Sequence, residues 1–327
     1  MRQIQLQVPG QFVDRQVSLP IASPGEALVR ISGVGVCGSD FHAFAGRHPA
    51  YTYPRVLGHE LSGVVFDVPS NQNNIRIGDR CAIEPYISCG ECPPCAAGRT
   101  NCCERLRVFG IHIDGGMQGV LSVPLSLLHK SDRLSLDQLA LVETLGVGAH
   151  AVARSQLSRG ESAMVIGIGP IGLATAQFAQ AAGAAVRVLE KNEWRRAFAE
   201  RLGFETLSEP DDNLADVVFD ATGSGKSMGA SIQRAAHGGR VVYVGLTREQ
   251  VAIDDSLFHR RELTLYASRN SCGQFPRIIR MIENHEIDTS HWITDRLKLM
   301  DVPVGFALLA GNPKVMKAIV DVEEADA

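Results

Sequence analysis

Hydrophobic and polar positions change rhythm along this chain. From about residue 1 to 144, short apolar runs stand between Gly and Pro: "EALVRISGVGV", "HELSGVVFDV", "DRCAIEPYI" and "GVLSVP". That pattern predicts a β-rich region with long loops. "LGVGAHAVARSQL" then reads as a helix. After it, "SAMVIGIGPIGLATAQFAQAAGAAVRVLEKN" reads as strand, glycine turn, apolar helix, Gly183 as a stop and a second strand. "ADVVFDATG" and "GRVVYVGL" add buried-strand candidates. Strands alternating with helices predict an α/β unit, a doubly wound parallel sheet covered on both faces. The tail from about Ser268 carries two expected amphipathic helices, "FPRIIRMIENHE" and "VPVGFALLAG", and then "KVMKAIVDV".

One connection in the second region is too short for a helix. Between "ETL" and "DVVFD" stand eight residues, "SEPDDNLA", where a crossover helix with its turns needs about 10–12. An extended segment of that length reaches ~26 Å, and three strand spacings take only ~14 Å. The sequence therefore predicts an extended crossover.

Length and composition narrow the class. A chain of 327 residues exceeds one comfortable core, so two domains are expected. The boundaries read as 1–144 with 269–327 for one, and 145–268 for the other. A net charge of −4 gives no reason to expect nucleic acid or an acidic membrane as partner. No apolar run approaches 18 residues, and "MRQIQLQVPGQF" lacks the apolar stretch of a signal peptide. The expected compartment is the cytoplasm, where thiols stay reduced.

That compartment bears on "SCGECPPCAAGRTNCC", which packs five of eight cysteines into sixteen residues. Disulfides, a redox pair and a metal clip compete here. Cys89, Cys92, Cys95 and Cys103 form C-x2-C-x2-C-x7-C, four thiolates suited to a closed tetrahedral zinc. Cys102 is read as a spare thiol, although spacing alone leaves it interchangeable with Cys103. A DNA-binding zinc ribbon would need two knuckles ~15–20 residues apart and a basic surface, and neither is present.

Gly167, Gly169 and Gly172 supply G-x-G-x-x-G after the strand "AMVI" and at the start of a helix. In that context the motif predicts a dinucleotide site of Rossmann type. Glu190 ends the second strand, where a carboxylate can bind both ribose hydroxyls of NAD and repel the 2′-phosphate of NADP. Lys191, Arg195 and Arg196 work against that preference. Two other motifs fail. "GSGKS" would need a glycine at Asp220 to be a P-loop, and His59-Glu60 would need a histidine at Gly63 to be a metalloprotease helix.

With "GVCGSDFH", "GHE" and "LVETLGVGAH" added, the chain resembles the zinc-dependent medium-chain alcohol dehydrogenase family over nearly its whole length. "PRVLGHE", "GRTNCC" and "SRN" are similar to the polyol, threonine and sugar-acid branch, L-galactonate dehydrogenase-like members in particular. The resemblance implies a GroES-like catalytic domain beside the Rossmann domain, two zinc ions per chain and NAD, with NADP less favoured. It implies that Cys37 and His59 bind a catalytic zinc, with Glu60 a third or exchangeable ligand and Glu143 a ligand of the metal or its water. Ser39 and His42 would relay a proton. The four-cysteine clip would be structural. Pro170, Ile171, Arg195, Thr222, Gly245 and Leu246 would line the cofactor beside the glycines and Glu190. Pro69 stands where the family has a glycine, and Gly119-Val120 where a Glu-aromatic pair is usual, so local packing there is expected to differ.

The implied reaction is hydride transfer between NAD and a secondary alcohol of a polyol or sugar acid. A zinc-free quinone reductase of the same superfold and a nucleotide-sensing binding protein are the alternatives; the intact zinc pattern and the Ser39–His42 pair speak against them. The loop "FHAFAGRHPAYTYPR" offers His42, Arg47, His48 and Arg55 without an acid, and Arg269 lies in "SRN". Those cations predict an anionic or highly hydroxylated substrate, with Arg269 its candidate contact. A homodimer or homotetramer is expected, with no nucleic-acid or membrane partner.

Overall fold

A computed structural model describes residues 1–69, 71 and 74–322 of the chain. It divides into two compact units, Met1–Glu143 together with the segment from Phe275 onward, and Thr144–Gln274.

The first unit is built on a mixed seven-stranded sheet. Its order is Ile293–Lys298, Lys317–Asp321, Glu26–Val36, Glu60–Asp67, Arg80–Ile83 and Leu128–Lys130, with Val120–Pro124 also paired to Glu26–Val36. The long strand Glu26–Val36 organises the unit. Its first half pairs with Val120–Pro124, its last four residues pair with Lys317–Asp321, and Glu60–Asp67 runs antiparallel along its other edge. Ile4, Leu6, Val29, Val34, Leu61 and Phe306 are buried in the core beneath.

Two tail elements depart from the sequence reading. Ile293–Lys298, "ITDRLK", is a strand that alternates half-buried and exposed residues, so its polar half hid it from an apolar-run search. The helix Val302–Gly311 buries Val302, Phe306 and Leu309, but its opposite face is not polar. Val304 and Leu308 are 79% and 75% exposed.

The second unit carries a parallel six-stranded sheet in the order Glu205–Leu207, Ala185–Leu189, Ser162–Ile166, Ala215–Asp220, Ala235–Tyr243 and Thr264–Ala267. The central strands "AMVI" and "VVF" are buried apolar runs, as strands covered on both faces require. No helix lies between Leu207 and Ala215, so the eight-residue crossover is extended. The helix Pro170–Ala181 is buried from Gly172 through Ala179. No helix among the described residues is long and apolar enough to cross a membrane.

Candidate metal centres and cofactor site

Three candidate ligands meet in the first unit because strand ends deliver them. Cys37 directly follows Glu26–Val36 and precedes the helix Gly38–Phe44, while Glu60 opens the neighbouring antiparallel strand and His59 directly precedes it. One donor atom from each of Cys37, His59 and Glu60 lies within 4.8 Å of the others. Asp40 binds this corner together. Its Oδ2 accepts from the Cys37 backbone N–H at 2.9 Å, and its Oδ1 lies 3.8 Å from His59 Nδ1. A carboxylate facing one ring nitrogen directs the other toward a metal.

The electrostatics of this corner couple a buried imidazole to the acids around it. Burial opposes a charged His59, yet Asp40, Cys37 and Glu143 outweigh it and hold the imidazole pKa well above its usual value. Burial raises the carboxyl pKa of Asp40 and of Glu143. Buried acids, a thiol and an imidazole form a donor set that suits zinc with an open position. Glu143, in the first turn of the helix Val142–Ser155, falls outside the three-residue cluster. Its Oε1 accepts a short hydrogen bond from the Tyr86 hydroxyl.

Ser39 and His42 sit three apart on Gly38–Phe44, hence on one helix face. Ser39 Oγ is buried, and His42 is exposed. Tyr51, buried near Ser39, places its hydroxyl 3.5 Å from Asp40 Oδ1. The charge reading of the following loop needs one correction. Arg55 is not available to a ligand, because its guanidinium binds Asp114 at 3.2 Å and Thr52 Oγ1 at 2.9 Å.

The cysteine clip closes on itself. Sγ atoms of Cys89, Cys92, Cys95 and Cys103 all lie within 4.8 Å, with Cys92–Cys95 at 3.4 Å and Cys89–Cys103 at 3.5 Å. Four sulfurs ~2.3 Å from one zinc would stand about 3.8 Å apart, so the set fits. Backbone N–H groups of Glu91 and Cys92 lower the Cys89 thiol to about 6. Burial, with Cys92 beside it, pushes Cys95 up to about 12. A fully ionised set therefore needs a cation at its centre. Cys102 is exposed and stands outside the clip.

In the second unit, Gly167 takes φ +84°, and a Cβ at Gly172 would fall 1.8 Å from Gly167 O. Neither position accepts a side chain without moving the turn. A Cβ at Gly169 would meet only Arg195 Nη1, at 3.7 Å, so the space above the turn is open. The helix Pro170–Ala181 begins there without a side-chain cap, leaving its N-terminal N–H groups for an anion such as a pyrophosphate. Glu190 braces the same turn. Its Oε2 accepts from Ile168 N–H and its Oε1 from Asn192 N–H, both at 2.8 Å. Each oxygen keeps lone-pair capacity for ribose hydroxyls.

Other expected cofactor residues flank this turn. Thr222 donates to Asp220 at 2.6 Å, and a Cβ at Gly167 would fall 2.8 Å from Thr222 Cγ2. Gly245 N–H donates to the Asp220 carbonyl, and Leu246 is exposed. Arg195 Nε is buried without a partner. Arg269 is exposed just beyond Thr264–Ala267, beside Ser268 and Ser271, whose buried hydroxyls have no partner.

Two family models match the chain: "Alcohol dehydrogenase GroES-like domain" over residues 23–133 and "Zinc-binding dehydrogenase" over residues 170–284. The L-galactonate-5-dehydrogenase of Escherichia coli K12 is 37% identical over 304 residues, covering 89% of each chain. A zinc-type alcohol dehydrogenase-like protein of Haemophilus influenzae is 36% identical over 96% of each. The chain belongs to the zinc-type alcohol dehydrogenase family. A zinc-binding dehydrogenase of Sinorhizobium meliloti, solved bound to NADP, superposes with TM-score 0.91 at 31% identity over 98% of this chain and 99% of that one. An alcohol dehydrogenase of Escherichia coli CFT073, solved with NADH, gives 0.93 at 26% identity over 98% and 99%. This zinc-type dehydrogenase holds four residues at its first site that sequence reasoning missed: Asp40, Tyr51, Tyr86 and Lys317. Only Lys317 left a signal, a lone charge inside the apolar run "VMKAIV".

Proposed function

We propose that this dehydrogenase oxidises a secondary alcohol of a sugar acid or polyol, using NAD, with one zinc at Cys37, His59 and Glu60 and a second at Cys89, Cys92, Cys95 and Cys103. The observation that carries the reading is the convergence of a thiol, an imidazole and a carboxylate within 4.8 Å, the last two buried. When bound, zinc acidifies an alcohol hydroxyl and NAD accepts the hydride. Cys37 and Glu60 supply the anionic donors, and Asp40 holds His59 in the ligating tautomer. Glu143 stands by as a further carboxylate, anchored by Tyr86. Ser39 Oγ, buried beside the Tyr51 hydroxyl, takes the substrate hydroxyl proton, and exposed His42 returns it to solvent.

The uncapped turn at Gly169 receives the pyrophosphate, and Glu190 favours the free 2′-hydroxyl of NAD over NADP. Arg269 supplies the contact to a substrate carboxylate. The relatives named for L-galactonate, L-idonate and L-arabinitol support the sugar-acid or polyol class. All eight cysteines are free of disulfides, which suits the reducing cytoplasm. The edge strand Thr264–Ala267 leaves Leu265 exposed and suits pairing with a second copy, so a homodimer or homotetramer is the proposed assembly. The test is nicotinamide absorbance with sugar acids, polyols and short-chain alcohols in parallel. Sugar acids should turn over best, and Arg269→Ala should raise KM for them while sparing neutral polyols. Best activity on short aliphatic alcohols would refute the substrate class.

A further inference from the structure

Lys317 is 2% exposed, on the strand Lys317–Asp321 of the first unit. Its Nζ stands 2.7 Å from both carboxylate oxygens of Glu60, itself fully buried, and 3.4 Å from the Val36 carbonyl. Two buried charges cost several kcal/mol each in desolvation, so such a pair rarely stabilises a fold more than an apolar pair would. The same Glu60 offers a donor atom to the cluster with Cys37 and His59. One carboxylate thus faces an ammonium already in place and the position of a metal. We propose that Lys317 is a positioning residue: by sharing the Glu60 carboxylate with the zinc, it keeps Glu60 a weak and displaceable ligand. This rests on the reading that Cys37, His59 and Glu60 bind zinc.

The chemistry follows from charge. A carboxylate whose electron density is drawn by an ammonium donates less to a metal. Without the ammonium, the buried Glu60 carboxylate keeps its full charge for the metal. The carboxylate then binds the metal more tightly and yields its place less readily to an incoming hydroxyl. Gly35 allows this arrangement, because a Cβ there would lie 2.1 Å from Glu60 Oε2.

The experiment uses whole protein with cobalt(II) in place of zinc, and the difference spectrum against Cys37→Ser isolates the cluster's visible bands. Lys317→Met should shift those bands and slow zinc loss to a chelator by about 10-fold or more, on the scale of outer-sphere effects on metal affinity. Lys317→Arg should restore the parent spectrum and rate. A purely structural lysine would instead loosen the metal when removed. A folded Lys317→Met protein with the parent's bands and release rate, or with faster release, would overturn the proposal. If Lys317→Met does not fold, Glu60→Gln decides: altered bands and faster zinc loss support the proposal, and unchanged bands overturn it. Failure of the parent to take up metal at this cluster would overturn the metal reading itself, which separates the two outcomes.

Discussion

Gly35 and Glu60 face each other across the antiparallel strands Glu26–Val36 and Glu60–Asp67, and the missing side chain of one makes room for the carboxylate of the other. They are register partners, and a Cβ on Gly35 would stand 2.1 Å from Glu60 Oε2 and 2.8 Å from Glu60 Cβ. A residue with no functional group of its own therefore decides whether the third donor can occupy its place. Gly35→Ala should displace Glu60 from Lys317 and cost roughly 1–3 kcal/mol by overpacking. Thermal unfolding with zinc analysis checks this. Zinc should be lost from the three-residue cluster while the cysteine clip keeps its own.

The glycine turn gives a paired prediction in the second unit. Gly172→Ala places a methyl 1.8 Å from the Gly167 carbonyl, so the strand and helix must separate, and stability should fall with cofactor binding. Gly169→Ala meets only Arg195 Nη1 at 3.7 Å, so the fold should survive while KM for NAD rises. Unfolding temperatures and cofactor titrations separate the two. Equal loss of stability in both variants would count against an open phosphate position above Gly169.

Glu190 holds the same turn by two backbone hydrogen bonds. Glu190→Ala should lower the preference for NAD over NADP by roughly tenfold, the equivalent of about 1.4 kcal/mol, because the repulsion of a 2′-phosphate disappears. It should also loosen the turn, so binding of both cofactors weakens. The ratio of kcat/KM for the two cofactors is the measurement. Equal efficiency of the unmodified protein with both would show that Glu190 does not discriminate.

The sequence made the scaffold legible because apolar runs and glycine spacing report backbone demands directly. "AMVI" followed by G-x-G-x-x-G can hardly fold otherwise, and eight residues between "ETL" and "DVVFD" leave no room for a helix. The candidate metal donors were legible through residue type, except that Glu143 falls outside the cluster the other three form. Their supports were not. Asp40 and Tyr86 act through contacts set by tertiary packing, and Lys317 lies 257 positions from Glu60. Arg55 misled for the same reason, since a charge in an acid-free loop found its partner, Asp114, 59 residues away. The outer face of Val302–Gly311 was misjudged because apolar residues surround the helix, and composition does not say which of them the core takes.

The division of labour between the two cysteine-bearing sites is the centre of the account, and zinc counted per chain in three proteins tests it most directly. The unmodified protein should hold two zinc ions. Cys37→Ser should hold one, remain folded and turn over no substrate. Cys89→Ser should also lose one, but with a fall in Tm on the order of 10 °C, as a structural zinc contributes folding free energy outright. One zinc or none in the carefully purified parent, or undiminished turnover by Cys37→Ser, would contradict the account.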